Sequence, residues 1–244
     1  MFPASGTGAA EAALVNTLSP GDRILIFETG WFSHIAWRQV AERLGLNVEY
    51  VPGTWCRGAS PETLEQRLED DTAHALKAVV VVHNETSTGV VSRIADLRRA
   101  MNRSAHPALL IVDAISSLAS IDLRHDEWEI DVTVCGSQKG LMVPPGLSFN
   151  AVSEKALAAN AKSTLPKSYW NWDEMLKANK SGFSPTRLRP ISCTAFAKLC
   201  RCSTKRASIT CSLDTLATAL RRARPFVAGG SRSFRKIRLS SRTP

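Results

Sequence analysis

The sequence predicts an α/β fold over residues 1–183, a mostly parallel central sheet flanked by helices. Three observations carry this expectation. Strand-like and helix-like patterns alternate along the chain, the order of βαβ units. The strand-like segments are short continuous apolar runs such as Ala78 to Val82, which suit strands buried on both faces. Polar residues with chemical potential fall where those runs end, and parallel sheets bind ligands beyond the carboxyl ends of their strands. In chain order, EAALVNTL follows an opening Gly-rich turn and reads as the first helix, and RILIFE as the first strand. HIAWRQVAERLG is a second helical pattern. SPETLEQRLEDD is a third, started by the hydroxyl of Ser60 with Pro61 in the first turn. AVVVVH, ALLIVDAI and DVTVCGS complete the strands, with the helical IADLRRAMNR between the first two. There is no internal repeat.

The 244 residues carry 31 Lys plus Arg against 22 Asp plus Glu, a net +9, and 44% are hydrophobic. That composition excludes collagen-like, coiled-coil and wholly disordered chains. No apolar run approaches the roughly 18 residues of a membrane span, and the N-terminus does not read as a signal peptide, so no membrane association is expected. Six cysteines without a C-x-x-C spacing suggest a reducing, cytoplasmic setting. The net charge hides an asymmetry. Residues 184–244 hold 14 basic residues and one acid, Asp214, a net of +13; the preceding residues have a net of −4. Four of the six cysteines also fall after Phe183.

Four stretches carry possible chemistry. Ser5-Gly6-Thr7-Gly8 leads straight into a helix; small residues let an anion approach, and free N–H groups at a helix start attract phosphate. The same residues also make an ordinary capped turn. Asp113 ends a buried strand, where a carboxylate stays ionised only beside a cation, or else caps the next turn. Lys139, in Gly136-Ser137-Gln138-Lys139-Gly140, is followed by Leu141, Met142, Pro144 and Pro145. That setting reads either as a poorly solvated, nucleophilic amine or as a surface-loop lysine. His83-Asn84-Glu85-Thr86-Ser87-Thr88-Gly89 is a polar cluster at a strand end, in which His83 reads as a packing residue.

A phosphate turn, a polar loop, a strand-end Asp and a Lys 26 positions later form one ordered constellation. It resembles the fold-type I pyridoxal-phosphate enzymes, specifically class V aminotransferases of the serine–glyoxylate and alanine–glyoxylate kind. The matching text is SGTGAAEAALVNTLSPGD, ETGWF, ERLGLNVEYVPG, HNETSTGV, VDAISSL, GSQKGLMVPPGL and KSYWNWDEMLKANKSGF, covering nearly all of residues 2–183. The resemblance implies the large, cofactor-binding domain of that fold over residues 1–183, and it assigns roles. Lys139 would bond to the cofactor aldehyde and later move the substrate proton. Asp113 would pair with the pyridine nitrogen. Ser5, Gly6 and Thr7 would hold the phosphate, with Gln138 nearby, and Thr86 would sit by the ring hydroxyl. Phe32 or its neighbour Trp31 would stack on the ring; Phe32 aligns better. The implied reaction moves an amino group from serine or alanine to glyoxylate or another 2-oxo acid, in a homodimer. A desulfurase reading needs a reactive Cys on a mobile loop, whereas Cys56 and Cys135 sit in segments that look structural.

The likeness stops at both ends. Met1 falls where the family already has a strand entering the phosphate turn, which implies a missing N-terminal segment. After Phe183 the likeness ends in one step. Joining the third base of each codon to the first two of the next, from Phe183 onward, permits the reading FPYTPAT and then NLLYGLREALQMLDEEGLDNVFARH. That text has helix periodicity and is what the family shows next. Residues 184–244 are therefore expected to be a frameshifted, poorly ordered tail, leaving an incomplete small domain without the Arg that clamps the substrate carboxylate. Impaired turnover follows. The alternative is a catalytically dead fragment whose clusters, such as Arg221-Arg222-Ala223-Arg224, bind nucleic acid unspecifically; a shifted reading frame explains those arginines without selection.

Overall fold

A computed structural model describes residues 1–180. The expected tail, the incomplete small domain and the boundary at Phe183 lie outside the described residues.

Six strands form one sheet in the order β2-β1-β3-β4-β5-β6, comprising β1 (Arg23–Phe27), β2 (Asn47–Val51), β3 (Leu76–Val82), β4 (Leu109–Asp113), β5 (Val132–Gly136) and β6 (Ser148–Val152). All neighbours are parallel except β5 and β6. The apolar runs are buried on both faces, as their continuity predicted. In β3, Val79 and Val81 join a core with Leu64, Leu68, Leu97 and Met101, from α3 (Pro61–Asp70) and α4 (Ile94–Arg103). The alternate residues Ala78, Val80 and Val82 join a second core with Ala9, Ala13 and Leu14 of α1 (Gly6–Thr17). One sheet thus separates two apolar layers. Ser60 caps α3 by accepting the Thr63 N–H at 3.1 Å, with Pro61 in the first turn.

Several elements were not expected. β2 is an edge strand with only Val51 buried, so it lacks the apolar run that marks the central strands. β6 carries polar residues at Ser148 and Asn150, so it lacks a continuous apolar run. Two helices, α5 (Glu154–Asn160) and α6 (Trp172–Lys180), follow it. Asn16 fastens α6 to α1: its side-chain oxygen accepts the Trp172 N–H at 3.0 Å, and its amide donates to the Trp170 carbonyl. The helix expected over HIAWRQVAERLG is split. Ser33–Arg38 is a π-helical turn, followed by α2 (Gln39–Arg43). The Gln39 N–H bonds back to the His34 carbonyl, five residues earlier. Hydropathy spacing cannot distinguish one wide turn within a helix from a regular helix.

Strand order reverses direction at β1: β2 lies on one side and β3 on the other. The loops after β1 and β3 therefore meet at the carboxyl edge, where doubly wound sheets open a crevice. No helix among the described residues is long and apolar enough to cross a membrane.

Leu110 sits in β4 near the middle of the sheet and is fully buried in the α3–α4 core. Leu110→Ala is expected to lower the unfolding free energy of the full chain by about 2–5 kcal/mol in urea titration, the cost of a cavity that the layers on either side cannot close.

Candidate active site

The carboxyl edge gathers the expected residues from four directions. Asp113 is the last residue of β4 and is only 4% exposed. Its Oδ1 accepts the Ile115 N–H at 2.9 Å and its Oδ2 accepts the indole N–H of Trp37 at 2.7 Å. Burial pushes its carboxyl up to about 6; those two bonds and the Lys139 charge work against the rise, while the negative charge of Glu85 adds to it. No ion pair to Asp113 is present among the described residues, so the cation that the sequence analysis required is supplied only at a distance, by Lys139.

Residues 5–8 form the start of α1. Ser5 is the N-cap, yet its hydroxyl makes no capping bond, and both it and Thr7 are exposed. Gly6 is buried; a β-carbon there would lie 2.4 Å from Cδ1 of Ile115. A β-carbon on Gly136 would lie 3.4 Å from the Gly6 nitrogen and 3.0 Å from Gln138 Oε1. The helix start, Gly136 and Gln138 therefore share one small space. Gln138 Oε1 is buried without a hydrogen-bond partner, and turning the amide over would present its N–H groups at the same spot. An uncapped helix N-terminus, two open hydroxyls and an uncommitted buried amide fit a phosphate group.

The third contribution is the loop after β1. Trp31 is 50% exposed and Phe32 36% exposed. Both are fastened by main-chain bonds to the loop after β3: the Trp31 N–H donates to Ser87 Oγ at 2.9 Å and the Phe32 N–H to Glu85 Oε1 at 3.2 Å. Glu85, which the sequence analysis passed over within its polar cluster, is the organiser of this junction. It is fully buried and also accepts from the Ser33 N–H at 3.1 Å and from the Ser87 hydroxyl at 2.8 Å. The signal available in the sequence was a Glu followed by the hydroxyl residues Thr86, Ser87 and Thr88, shortly after a buried strand. Thr86, next in the chain, is exposed and makes no side-chain hydrogen bond among the described residues. His83 is buried with Nδ1 2.9 Å from Ser117 Oγ, a packing role, and burial lowers its pKa to about 4.

The structure decides between the two readings of Lys139 and corrects one expectation about the cysteines. Lys139 lies in the turn after β5, but it is exposed rather than shielded. Of the apolar residues that follow it, Leu141 is buried in the core, whereas Met142 is 85% exposed and Pro144 and Pro145 are exposed. Cys56 does not sit in a structural segment either; it is exposed in the loop between β2 and α3. Cys135 is buried in β5, where desolvation pushes its thiol up.

The class-V aminotransferase family matches residues 1–168. The chain belongs to that family. A serine–glyoxylate aminotransferase of Methylorubrum extorquens is 48% identical over 190 residues, which cover 76% of this chain and 47% of that protein. An L-aspartate–glyoxylate aminotransferase of Paracoccus denitrificans is 45% identical, over 72% of this chain and 44% of that protein. The chain thus spans about half the length of the curated relatives it matches. Among solved structures, an alanine–glyoxylate aminotransferase from Nostoc sp. superposes with a TM-score of 0.76 at 26% identity, covering 87% of this chain and 55% of that one. The fold is that of the fold-type I enzymes, and class-V aminotransferases use pyridoxal phosphate.

Asp113 and His83 make opposite contributions to stability in one pH window. The raised Asp113 carboxyl makes the fold lose stability as pH rises from about 4 to about 6, because the folded state holds the proton longer. The lowered His83 makes it gain stability over nearly the same range. Asp113→Asn is expected to remove only the loss. In urea unfolding of the cofactor-free chain, its stability relative to wild type should grow by about 2 kcal/mol between pH 4 and pH 7. A difference that stays flat would mean that Asp113 is solvated.

Proposed function

We propose that this protein catalyses pyridoxal-phosphate-dependent transamination between a small amino acid, serine or alanine, and glyoxylate or a related 2-oxo acid. The observation that carries the reading is the convergence of a helix N-terminus, a buried strand-end carboxylate and a lysine turn at one carboxyl edge of the sheet. When bound, the cofactor supplies a carbonyl that takes up the amino group and a ring that spreads negative charge.

The chain's own residues do the rest. The N–H groups of Gly6 and Thr7, with the hydroxyls of Ser5 and Thr7, hold the phosphate, and Gln138 adds an amide contact. Asp113 accepts the N–H of the ring nitrogen and keeps it protonated. Phe32, with Trp31 beside it, covers one ring face and excludes water; Thr86 donates to the ring hydroxyl. Lys139 Nζ would hold the carbonyl end of the cofactor and would serve as the base that moves the proton from the donor's α-carbon. An exposed lysine with room to move would suit both tasks. With serine and glyoxylate the products are hydroxypyruvate and glycine.

The same reading extends to the setting and to the tail. Large exposed apolar residues beside the site, Trp31, Phe32 and Met142, suit a homodimer in which a second subunit covers them. The free thiols of Cys56 and Cys135 suit a reducing, cytoplasmic compartment. Residues 184–244 are the neighbouring reading frame of the same gene, so the chain as written turns over poorly for want of a substrate-carboxylate Arg. The coding nucleotides test this directly. An open alternative frame continuing FPYTPAT supports it, and early stops in that frame would sink it.

For the main reading, the full chain is mixed with pyridoxal phosphate and its visible spectrum recorded. A yellow chromophore is expected in wild type and absent from Lys139→Ala, and wild type should yield glycine from serine and glyoxylate at a low rate. An equally yellow Lys139→Ala variant would falsify the assignment of that lysine.

A further inference from the structure

One polar contact at the carboxyl edge has no part in the function above. Trp37 is fully buried and its Nε1 donates to Asp113 Oδ2 at 2.7 Å. The Ile115 N–H donates to the other oxygen at 2.9 Å. Each carboxylate oxygen therefore has one fixed donor and room for a second. An indole N–H only donates, carries no charge and does not titrate, so its grip is the same at every working pH.

The π-helical turn delivers this indole. Upstream, Ser33 Oγ accepts the N–H groups of Thr29 and Gly30, at 3.1 and 3.3 Å, while its main chain binds Glu85. Downstream, Trp37 and Ala41 pack into the core under α1. A regular helix advances about 100° per residue, so one extra residue in the turn rotates the upstream stretch by about that angle relative to the downstream one. The wide turn lets the same short segment fasten the aromatic loop and present the indole to Asp113. Such turns are rare and recur at functional sites.

We propose that Trp37 is a positioning residue for Asp113: its indole N–H holds the carboxylate ionised and fixed in plane, so that the remaining lone pairs receive the N–H of a protonated heteroaromatic ring. The catalytic meaning of this rests on the proposed function; the coupling between indole and carboxylate does not. A buried carboxyl with a midpoint of about 6 competes with a ring nitrogen for one proton. Should the carboxyl win, the ring stays neutral and stores charge badly. A donor on Oδ2 stabilises the anion more than the acid, and so leaves the proton on the ring. The other groups around Asp113 do not substitute for it. Glu85 acts in the opposite sense, and Lys139 helps only while its ammonium is nearby. His83, whose main-chain N–H donates to the Asp113 carbonyl, is buried and neutral, and Cys135 is a protonated thiol.

The test uses NMR on the full chain without cofactor, following the Asp113 carboxyl carbon and the Trp37 indole N–H against pH. The indole resonance is expected to move with the Asp113 midpoint and to stop moving in Asp113→Asn. Trp37→Phe removes the donor and keeps most of the ring; it should raise the midpoint by about one unit or more, tenfold in proton affinity, and weaken equilibrium binding of pyridoxal phosphate by about tenfold. A loss of packing alone would leave the midpoint where it was. An unchanged midpoint in the folded variant, or an indole resonance that ignores the Asp113 titration, overturns the proposal. Where Trp37→Phe does not fold, the indole resonance of the unsubstituted chain decides. A chain that shows the coupling and binds no pyridoxal phosphate overturns the proposed function and leaves the coupling in place.

Discussion

The structure depends on placing a carboxylate at the end of a buried strand. Asp113 continues an all-apolar run, and its neighbours on both flanking strands are buried valines, Val82 and Val134. Desolvating a carboxylate costs several kcal/mol unless donors or a cation offset it. Two donors do part of this, one from the main chain just beyond the strand and one from an indole carried across from the segment after β1. The remainder appears as a carboxyl pushed up to about 6. The fold therefore carries an unmet electrostatic demand at one defined point, which a protonated ring nitrogen would answer under the proposed function.

The second constraint is topological. Because strand order reverses at β1, the loops after β1 and β3 have to share a crevice without either forming a strand. Their unpaired main-chain N–H groups need acceptors, and Glu85 supplies them for residues on both loops. One buried side chain fixes where the Trp31–Phe32 wall stands relative to the sheet edge. Removing it would leave several donors unsatisfied at once, so the wall's position and the local stability are linked.

What could be read from the sequence follows from the range of the physics involved. Continuous apolar runs revealed β1, β3, β4 and β5 because burial on both faces is recorded residue by residue. The Ser60-Pro61 start of α3 is a local signal and was equally legible. β2 escaped because an edge strand needs few apolar residues, and β6 because its pairing with β5 is a tertiary fact. At the site, Asp113, Lys139 and residues 5–7 stood out through their places at element ends. The exposure of Lys139 stayed open because nearby apolar residues can fold over a lysine or turn outward, and here Met142 and the two prolines turn outward while Leu141 is buried. Trp37 was invisible as a site residue, since its partner is 76 positions away and its direction depends on a wide helical turn that hydropathy does not encode.

Two anions at the carboxyl edge, Asp113 and Glu85, also bear on what the site selects. Both are buried, and the Glu85 charge opposes ionisation of Asp113. A neutral planar ring would satisfy the aromatic wall and the floor near Ile115, but it would leave that repulsion untouched. Under the proposed function, a ring that carries a proton on nitrogen and a phosphate on an opposite arm would answer the two anions at one end and the open start of α1 at the other. A ligand with charge of opposite sign at its two ends would meet both demands, which neither a plain aromatic nor an inorganic phosphate does. On that reading the site would discriminate by the separation of charges along the ligand, with the indole of Trp37 holding Asp113 Oδ2 at the negative end.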